Sequence, residues 1–179
     1  MESAVRRRAC AVTALSAERL GVDDADALRA IRLEALRAHP EAFCSDPDVV
    51  EAFTREHWVD GLAKGTWFGV RKDGALVGIA AFTRPGSKKL SHTGELSAMY
   101  VRDDMRGKGA ADALIRGIIG LAVSEVIQIK LTVNAGNARA VKLYERHGFR
   151  IVGRIPRVIR VGERLYDELV MIRTVSPSD

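Results

Sequence analysis

Residues 102–111 read Arg-Asp-Asp-Met-Arg-Gly-Lys-Gly-Ala-Ala, and this stretch decides how the rest of the chain is read. It follows a β-rich run over 95–101, in which Leu96, Ala98 and Tyr100 alternate with Glu95, Ser97 and Met99, and it precedes a helix-forming run over 110–124. Gly107 and Gly109 stand where the backbone must turn. Glycine lets successive amides approach one ligand, and a helix that begins there adds the partial positive charge of its N-terminus. Arg106 and Lys108 add full charges. The arrangement suits a phosphate or pyrophosphate. A Walker A loop is excluded, because Gly107-Lys108 runs into Gly109 instead of Ser or Thr, and Arg102 stands where the first glycine belongs. A dinucleotide fingerprint is excluded too: Asp112 holds its last glycine position, and the loop follows mid-chain strands that read as antiparallel. Taken alone, the loop could still be a plain strand-to-helix turn.

A second pattern lies downstream: Asn137-x-x-Ala140-x-x-Leu143-Tyr144-x-x-x-Gly148-Phe149, at helical spacing with Gly148 as the stop. With it, Arg106-x-x-Gly109-x-Ala111 resembles the Arg/Gln-x-x-Gly-x-Gly/Ala loop of the GNAT superfamily of N-acetyltransferases, and the downstream pattern is similar to that superfamily's other signature. Met99-Tyr100-Val101 fits its fourth strand, and Arg32…Glu34-Ala35-Leu36 through Pro40-Glu41-Ala42-Phe43 looks like its small bacterial members. The resemblance runs from about Leu15 to Arg173. Two departures are Asp103-Asp104, which put negative charge beside the loop, and Ala111 at a position where the family allows Gly or Ala.

The resemblance implies a mixed α+β or α/β fold: a central, mostly antiparallel twisted sheet flanked by helices. It implies acetyl-coenzyme A as acetyl donor, with no metal. Main-chain groups of Met99 and Val101 would run beside the pantetheine arm. The amides of Gly107, Lys108, Gly109, Ala110 and Ala111, aided by the Arg106 and Lys108 side chains, would take the phosphates. Asn137 would hydrogen-bond the middle of the cofactor. It also places Tyr144 beside the cofactor sulfur as general acid. A phenol with a pKa near ~10 keeps its proton at neutral pH, as that role requires; the alternative is an aromatic ring packed under the helix. An attacking alkyl ammonium, with a pKa near ~10.4, must first lose a proton. Glu95 is the candidate base, and a solvent-facing strand glutamate is the equal alternative.

Outward from these motifs, Asp23-Asp24 precede a helical stretch with Leu28, Ile31, Ala35 and Leu36 on one face, stopped at Pro40. A second helix is expected over 49–62. Strands over 66–71 and 75–83 are joined by Lys72-Asp73-Gly74, a hairpin signal. A strand is expected over 126–133, and two alternating runs over 149–160 and 164–173 read as a final hairpin. A short first strand is expected over 10–15.

The chain has 179 residues, with 28 Lys+Arg against 23 Asp+Glu, hence +5, and a sequence pI of about 9.5. With 47% hydrophobic and 28% charged residues and no linker or repeat, it reads as one domain over 10–175 behind a flexible basic tail over 1–9. No apolar run approaches the roughly 20 residues that span a bilayer. Arg6-Arg7-Arg8 and the mildly apolar stretch after them superficially resemble a secretory signal, but Glu18-Arg19 follow at once, so a cytoplasmic protein is expected. Cys10 and Cys44 cannot build a disulfide framework, and the four histidines are too scattered to ligate zinc.

The acceptor is less legible. Trp58, Trp67, Phe43, Arg157, Arg160, Tyr166 and Asp167-Glu168 fall in the segments that line the acceptor pocket in such folds. The late arginines, Arg150, Arg154, Arg157, Arg160 and Arg164, could hold a substrate carboxylate or simply be solvated. A small-molecule primary amine, an amino acid or a relative of one, is the first reading. A ribosomal-protein N-terminal or aminoacyl-tRNA acetyltransferase comes next. A non-catalytic acetyl-coenzyme A sensor and a basic nucleic-acid-binding module are the other classes; against the last stand 6% aromatic content and no known motif. Family members commonly form homodimers, and no residue commits this chain to one.

Overall fold

The computed structural model describes residues 15–65 and 67–176. The basic tail over 1–9 and residues 10–14 of the expected first strand lie outside the described residues. Helix α1 (Ala25–Ala38) follows a short turn in which the Asp24 carboxylate accepts from the Gly21 amide at 2.9 Å and pairs with Arg71. Leu28, Ile31, Ala35 and Leu36, the face read from the sequence, are all buried. Helix α4 (Ala110–Ala122) buries Leu114, Ile115, Ile118, Ile119 and Ala122. Each large aliphatic side chain withdrawn from water in this way contributes about 1.5–3 kcal/mol before ordering costs.

Seven strands form one sheet: β1 (Ala17–Arg19), β2 (Trp67–Lys72), β3 (Ala75–Thr83), β4 (Thr93–Val101), β5 (Gln128–Asn134), β6 (Arg150–Val161) and β7 (Arg164–Thr174), in the spatial order β1-β2-β3-β4-β5-β7-β6. Every neighbouring pair is antiparallel except β4 with β5. Two helices, α1 and α3 (Arg55–Ala63), pack on one face around Leu28, Ile31, Trp58, Leu62, Ile79 and Tyr100. On the other face α4 and Tyr144 of α5 (Ala138–Arg146) enclose Phe68, Phe82, Leu96, Leu131 and Met171. The fold is the mixed, mostly antiparallel sheet flanked by helices that the sequence implies.

Among the described residues the first strand is Ala17–Arg19, paired with β2; of the strand expected over 10–15 only Leu15 is described, and it carries no strand structure. One expectation is corrected: the helix expected over 49–62 is two helices, α2 (Pro47–Glu51) and α3. Each has its own N-cap: Asp46 accepts from the Asp48 amide at 2.9 Å, and Thr54 accepts from the His57 amide at 3.4 Å. A side chain that satisfies an orphan amide starts a helix wherever it stands, so Thr54 divides a stretch whose composition looks continuous.

The feature that positions the site is a bulge in β4. Ile79 pairs with Tyr100 and Ala81 with Ser97, so β4 carries one residue more than β3 between these rungs, and Ala98 has a φ of 53°. A bulge bends its strand and swaps the faces beyond it. Pairing of β4 with β5 stops at Glu95 opposite Lys130, although the strands run on to Val101 and Asn134. The sheet opens there.

Candidate active site

The opening leads into a cleft of about 240 Å³ whose walls include Met99, Tyr100 and Val101 of β4, the loop to α4, and the first turns of α5. The loop is held firmly. Arg102 grips Glu34 of α1 with contacts of 2.7–3.0 Å, Tyr100 donates to the same carboxylate at 3.0 Å, and Met105 is buried beneath. Burial, the hydrogen bond and the Glu34 charge together raise the Tyr100 phenol to about 12. Gly107 and Gly109 take φ values of 78° and 88°, the left-handed conformations that permit the turn. None of the amides of Gly107, Gly109, Ala110, Ala111 and Asp112 donates to a backbone carbonyl among the described residues. Nothing stands within 4 Å of where a side chain on Gly109 would begin, and α4 starts directly after it. These amides can hold a pyrophosphate, so the residues present fit the implied cofactor.

The residues expected at the cofactor divide into two groups. Met99, Val101, Arg106, Gly107, Gly109, Ala111 and Asn137 line this cleft. Lys108 is exposed outside its walls, and the Ala110 side chain is buried in the core, leaving its amide at the helix start. Arg106 also serves the loop itself: its guanidinium donates to the Val101 carbonyl at 3.1 Å, pairs with Asp103 at 2.7 Å, and meets the His39 ring at 2.7 Å. The negative charge of Asp103, a departure from the family pattern, is therefore compensated locally. Asn137 caps α5, its side chain accepting from the Ala140 amide at 3.0 Å.

The two expected catalytic residues stand near the cleft without lining it. Tyr144 directly follows Leu143, which does line it; the phenol ring packs edge-on against Phe149 at 5.8 Å. The side chain is buried, and desolvation pushes its pKa well above the usual tyrosine value. Glu95 stands opposite Thr83, as Ser97 stands opposite Ala81, and its carboxylate pairs with Lys130 at 3.3 Å.

A second cleft, of about 260 Å³, lies on the face covered by α1 and α3; Arg32, Trp58, Trp67, Ala81, Thr83, Ser97 and Ala98 are in its walls. Residues opposite each other in a sheet share a face, so Glu95 points to the same side as Thr83 and Ser97, about 7 Å up-strand from the latter. The two clefts adjoin: Ala98 lines one and Met99 the other, and the Arg32 guanidinium lies 4.7 Å from the ring of Phe43, which lines the first. Of the residues read as acceptor pocket, Trp58, Trp67 and Phe43 line clefts. The late hairpin does not: Arg154 pairs with Asp167 at 2.6 Å, and the Arg157 amide donates to the same carboxylate.

Sequence reasoning missed His39, Arg139 and Arg146 in the first cleft. His39 ends α1 and reaches the loop from a different element, a juxtaposition no local pattern carries. Arg139 follows Asn137 by two residues at the start of α5, so its place beside the loop could have been read from the motif. No three His, Cys, Asp or Glu side chains gather as a metal site among the described residues, and no helix there is long and apolar enough to cross a membrane.

Comparison with known proteins gives a consistent picture. The profile described as acetyltransferase (GNAT) family matches residues 28–149. An L-methionine sulfoximine/L-methionine sulfone acetyltransferase of Pseudomonas paraeruginosa is 30% identical over 164 residues, covering 88% of this chain and 93% of that one. Uncharacterized N-acetyltransferases of Mycobacterium tuberculosis and Mycobacterium bovis are 34% identical over 104 residues, 58% of this chain; the match spans 63% of their length. A GNAT-family acetyltransferase structure from Streptococcus pneumoniae superposes with a TM-score of 0.80 at 24% identity, over 90% of this chain and 99% of that one. A Salmonella typhimurium structure solved with acetyl-CoA has a TM-score of 0.75 at 20% identity, over 90% and 94%.

Proposed function

The chain belongs to the acetyltransferase (GNAT) family, and from that premise we propose that it moves the acetyl group of acetyl-coenzyme A to the primary amine of a small molecule, an amino acid or a related amine. One observation carries the reading: Gly107, Gly109, Ala111 and Asp112, whose amides donate to no backbone carbonyl among the described residues, line the cleft beside the bulge in β4. Acetyl-coenzyme A supplies an acetyl group activated as a thioester. The amides of Gly107, Gly109, Ala110 and Ala111 take its phosphates, while the Lys108 amide, expected among them, already donates to the Met105 carbonyl at 3.3 Å; Arg139 adds a cation that has no ion pair among the described residues, and the edge of β4 at Met99 and Val101, which β5 does not pair, guides its arm. Asn137 offers an amide near its middle.

The acceptor enters from the second cleft and meets the acetyl group where Ala98 gives way to Met99. As the amine nitrogen bonds to the carbonyl carbon, the carbon–sulfur bond breaks. Glu95, through water, takes one proton from the ammonium before attack; Tyr144 gives its phenolic proton to the departing sulfur, the new amide nitrogen releases its second proton to solvent, and solvent returns one to Tyr144. For a homodimer we propose the β6 edge, where Val152, Ile155 and Val158 are 41–59% exposed; a particle mass of 19.6 kDa by light scattering would exclude it.

A thermal melt tests the reading. At a hundredfold excess over its dissociation constant, acetyl-coenzyme A adds roughly 2.7 kcal/mol, a rise of about 5–11 °C for a domain of this size. ATP and NAD at the same concentration should leave the midpoint unmoved. No shift with millimolar acetyl-coenzyme A overturns the assignment.

A further inference from the structure

We infer that Arg32 receives the carboxylate of the acceptor, so that the second cleft selects amines carrying a carboxylate, such as α-amino acids, over amines without one. The inference rests on the acetyltransferase reading and adds the residue that sets specificity.

Arg32 lies in the middle of α1 and is only 8% exposed. Its Nη2 donates to the Ser45 hydroxyl at 3.2 Å and its guanidinium packs on Phe43, but its Nη1 is buried with no hydrogen-bond partner. No carboxylate lies within 4.0 Å of it among the described residues. Other half-buried arginines differ sharply: Arg102 takes Glu34, Arg106 takes Asp103, and Arg71 takes Glu18 and Asp24. A buried cation without a counter-ion is strongly unfavourable, and removing water lowers the affinity of Arg32 for its proton below the ordinary arginine value. An anion from outside would relieve both.

The cleft supplies the rest of the recognition. The indole nitrogen of Trp58 is a second buried donor without an acceptor, and Trp58 lines the same space as Arg32. Neither Asp nor Glu lines that space. Two unsatisfied donors and no resident anion call for a ligand that brings acceptors, which a planar carboxylate does with two oxygens. Phe53, Trp58 and Trp67 offer apolar walls for the remainder of the side chain. With the carboxylate on Arg32, an α-amine lies one carbon away, on the path toward Ala98 and the acetyl group. The late hairpin arginines, which the sequence offered for this task, are outside the cleft.

The test uses the full chain and its Arg32→Met and Trp58→Phe variants. Coenzyme A release is followed with L-amino acids, their carboxamides and the corresponding decarboxylated amines. The wild type should favour acid over carboxamide by about 100-fold in kcat/KM. Arg32→Met should collapse that preference toward unity, keep the acetyl-coenzyme A melting shift, and melt without ligand at the wild-type temperature or above, because an uncompensated buried charge has gone. Trp58→Phe should raise KM for the acid several-fold with kcat little changed. A merely structural arginine would give the opposite pattern: a lower melting temperature with the preference intact. That result overturns the inference, as does a wild type that acetylates carboxamides and acids equally. If no amine in the panel turns over, amino acids must still raise the melting point of the coenzyme A complex where their carboxamides do not; equal effects overturn it. Loss of the acetyl-coenzyme A shift in the wild type instead strikes the acetyltransferase reading itself.

Discussion

The Tyr144 ring belongs to the core with Phe149, and Leu143 before it lines the first cleft. Desolvation holds its proton more tightly than in water, so the phenol stays neutral throughout the physiological range and remains a proton donor. Tyr144→Phe keeps the ring and removes the proton. Turnover should fall by about 10²–10⁴-fold, the range for loss of a general acid, while the acetyl-coenzyme A melting shift stays within a degree or two of the wild type. Full turnover in the variant would reduce Tyr144 to packing. The resemblance of its motif singled this residue out; helical spacing by itself puts Tyr144 near Ala140 and Leu143 and does not separate a catalytic ring from a packed one. Arg32 was not legible in the same way. Its significance lies in partners it lacks, and an absent carboxylate is visible only once α1, α3 and β4 are brought together.

Among the elements, α5 shows how one side chain serves both fold and site. Asn137 caps the helix through the Ala140 amide and also lines the cleft, so a single substitution would confuse the two roles. Asn137→Ala should cost about 1 kcal/mol of stability, a fall of about 2–4 °C, and also weaken acetyl-coenzyme A. Asn137→Ser restores a capping oxygen without the amide. It should recover most of the melting temperature and little of the cofactor affinity; recovery of both by serine would make the cap the whole role. The loop before α4 makes a parallel case. Gly109 at φ 88° has open space around it, so Gly109→Ala meets no clash and costs strain alone, about 1–2 kcal/mol. Acetyl-coenzyme A binding should fall by more than that strain explains, because the new methyl group takes up open space beside the amides proposed to hold the phosphates; titration calorimetry beside the apo melt separates the terms. Most element types and the final hairpin were legible from periodicity and turn residues. The division between α2 and α3 was not, since Thr54 acts through one local hydrogen bond that composition does not announce.

Across the whole molecule, the sheet separates two cores, and each holds one tyrosine whose proton is bound more tightly in the fold: Tyr144 with α4, and Tyr100 against α1. That shared feature gives the protein an alkaline limit. In the unfolded chain both phenols titrate near ~10, whereas in the fold burial delays Tyr100 to about 12 and Tyr144 further. The folded state therefore holds more protons than the unfolded state above pH ~10. Their stabilising contribution is complete below that pH and is lost as pH rises through the folded values, at up to about 1.4 kcal/mol per pH unit for each group. Urea midpoints measured from pH 8 to 12 should be level at first and then fall. Tyr100→Phe leaves Glu34 with Arg102 as a partner and should flatten part of the decline; adding Tyr144→Phe should flatten more. A decline unchanged in the double variant would place the alkaline limit in other groups. Because Tyr100 is tied through Glu34 to Arg102 at the base of the loop before α4, which we propose holds the phosphates, its ionisation should loosen that loop as well, so acetyl-coenzyme A affinity should fall over the same pH range in the wild type and less in Tyr100→Phe.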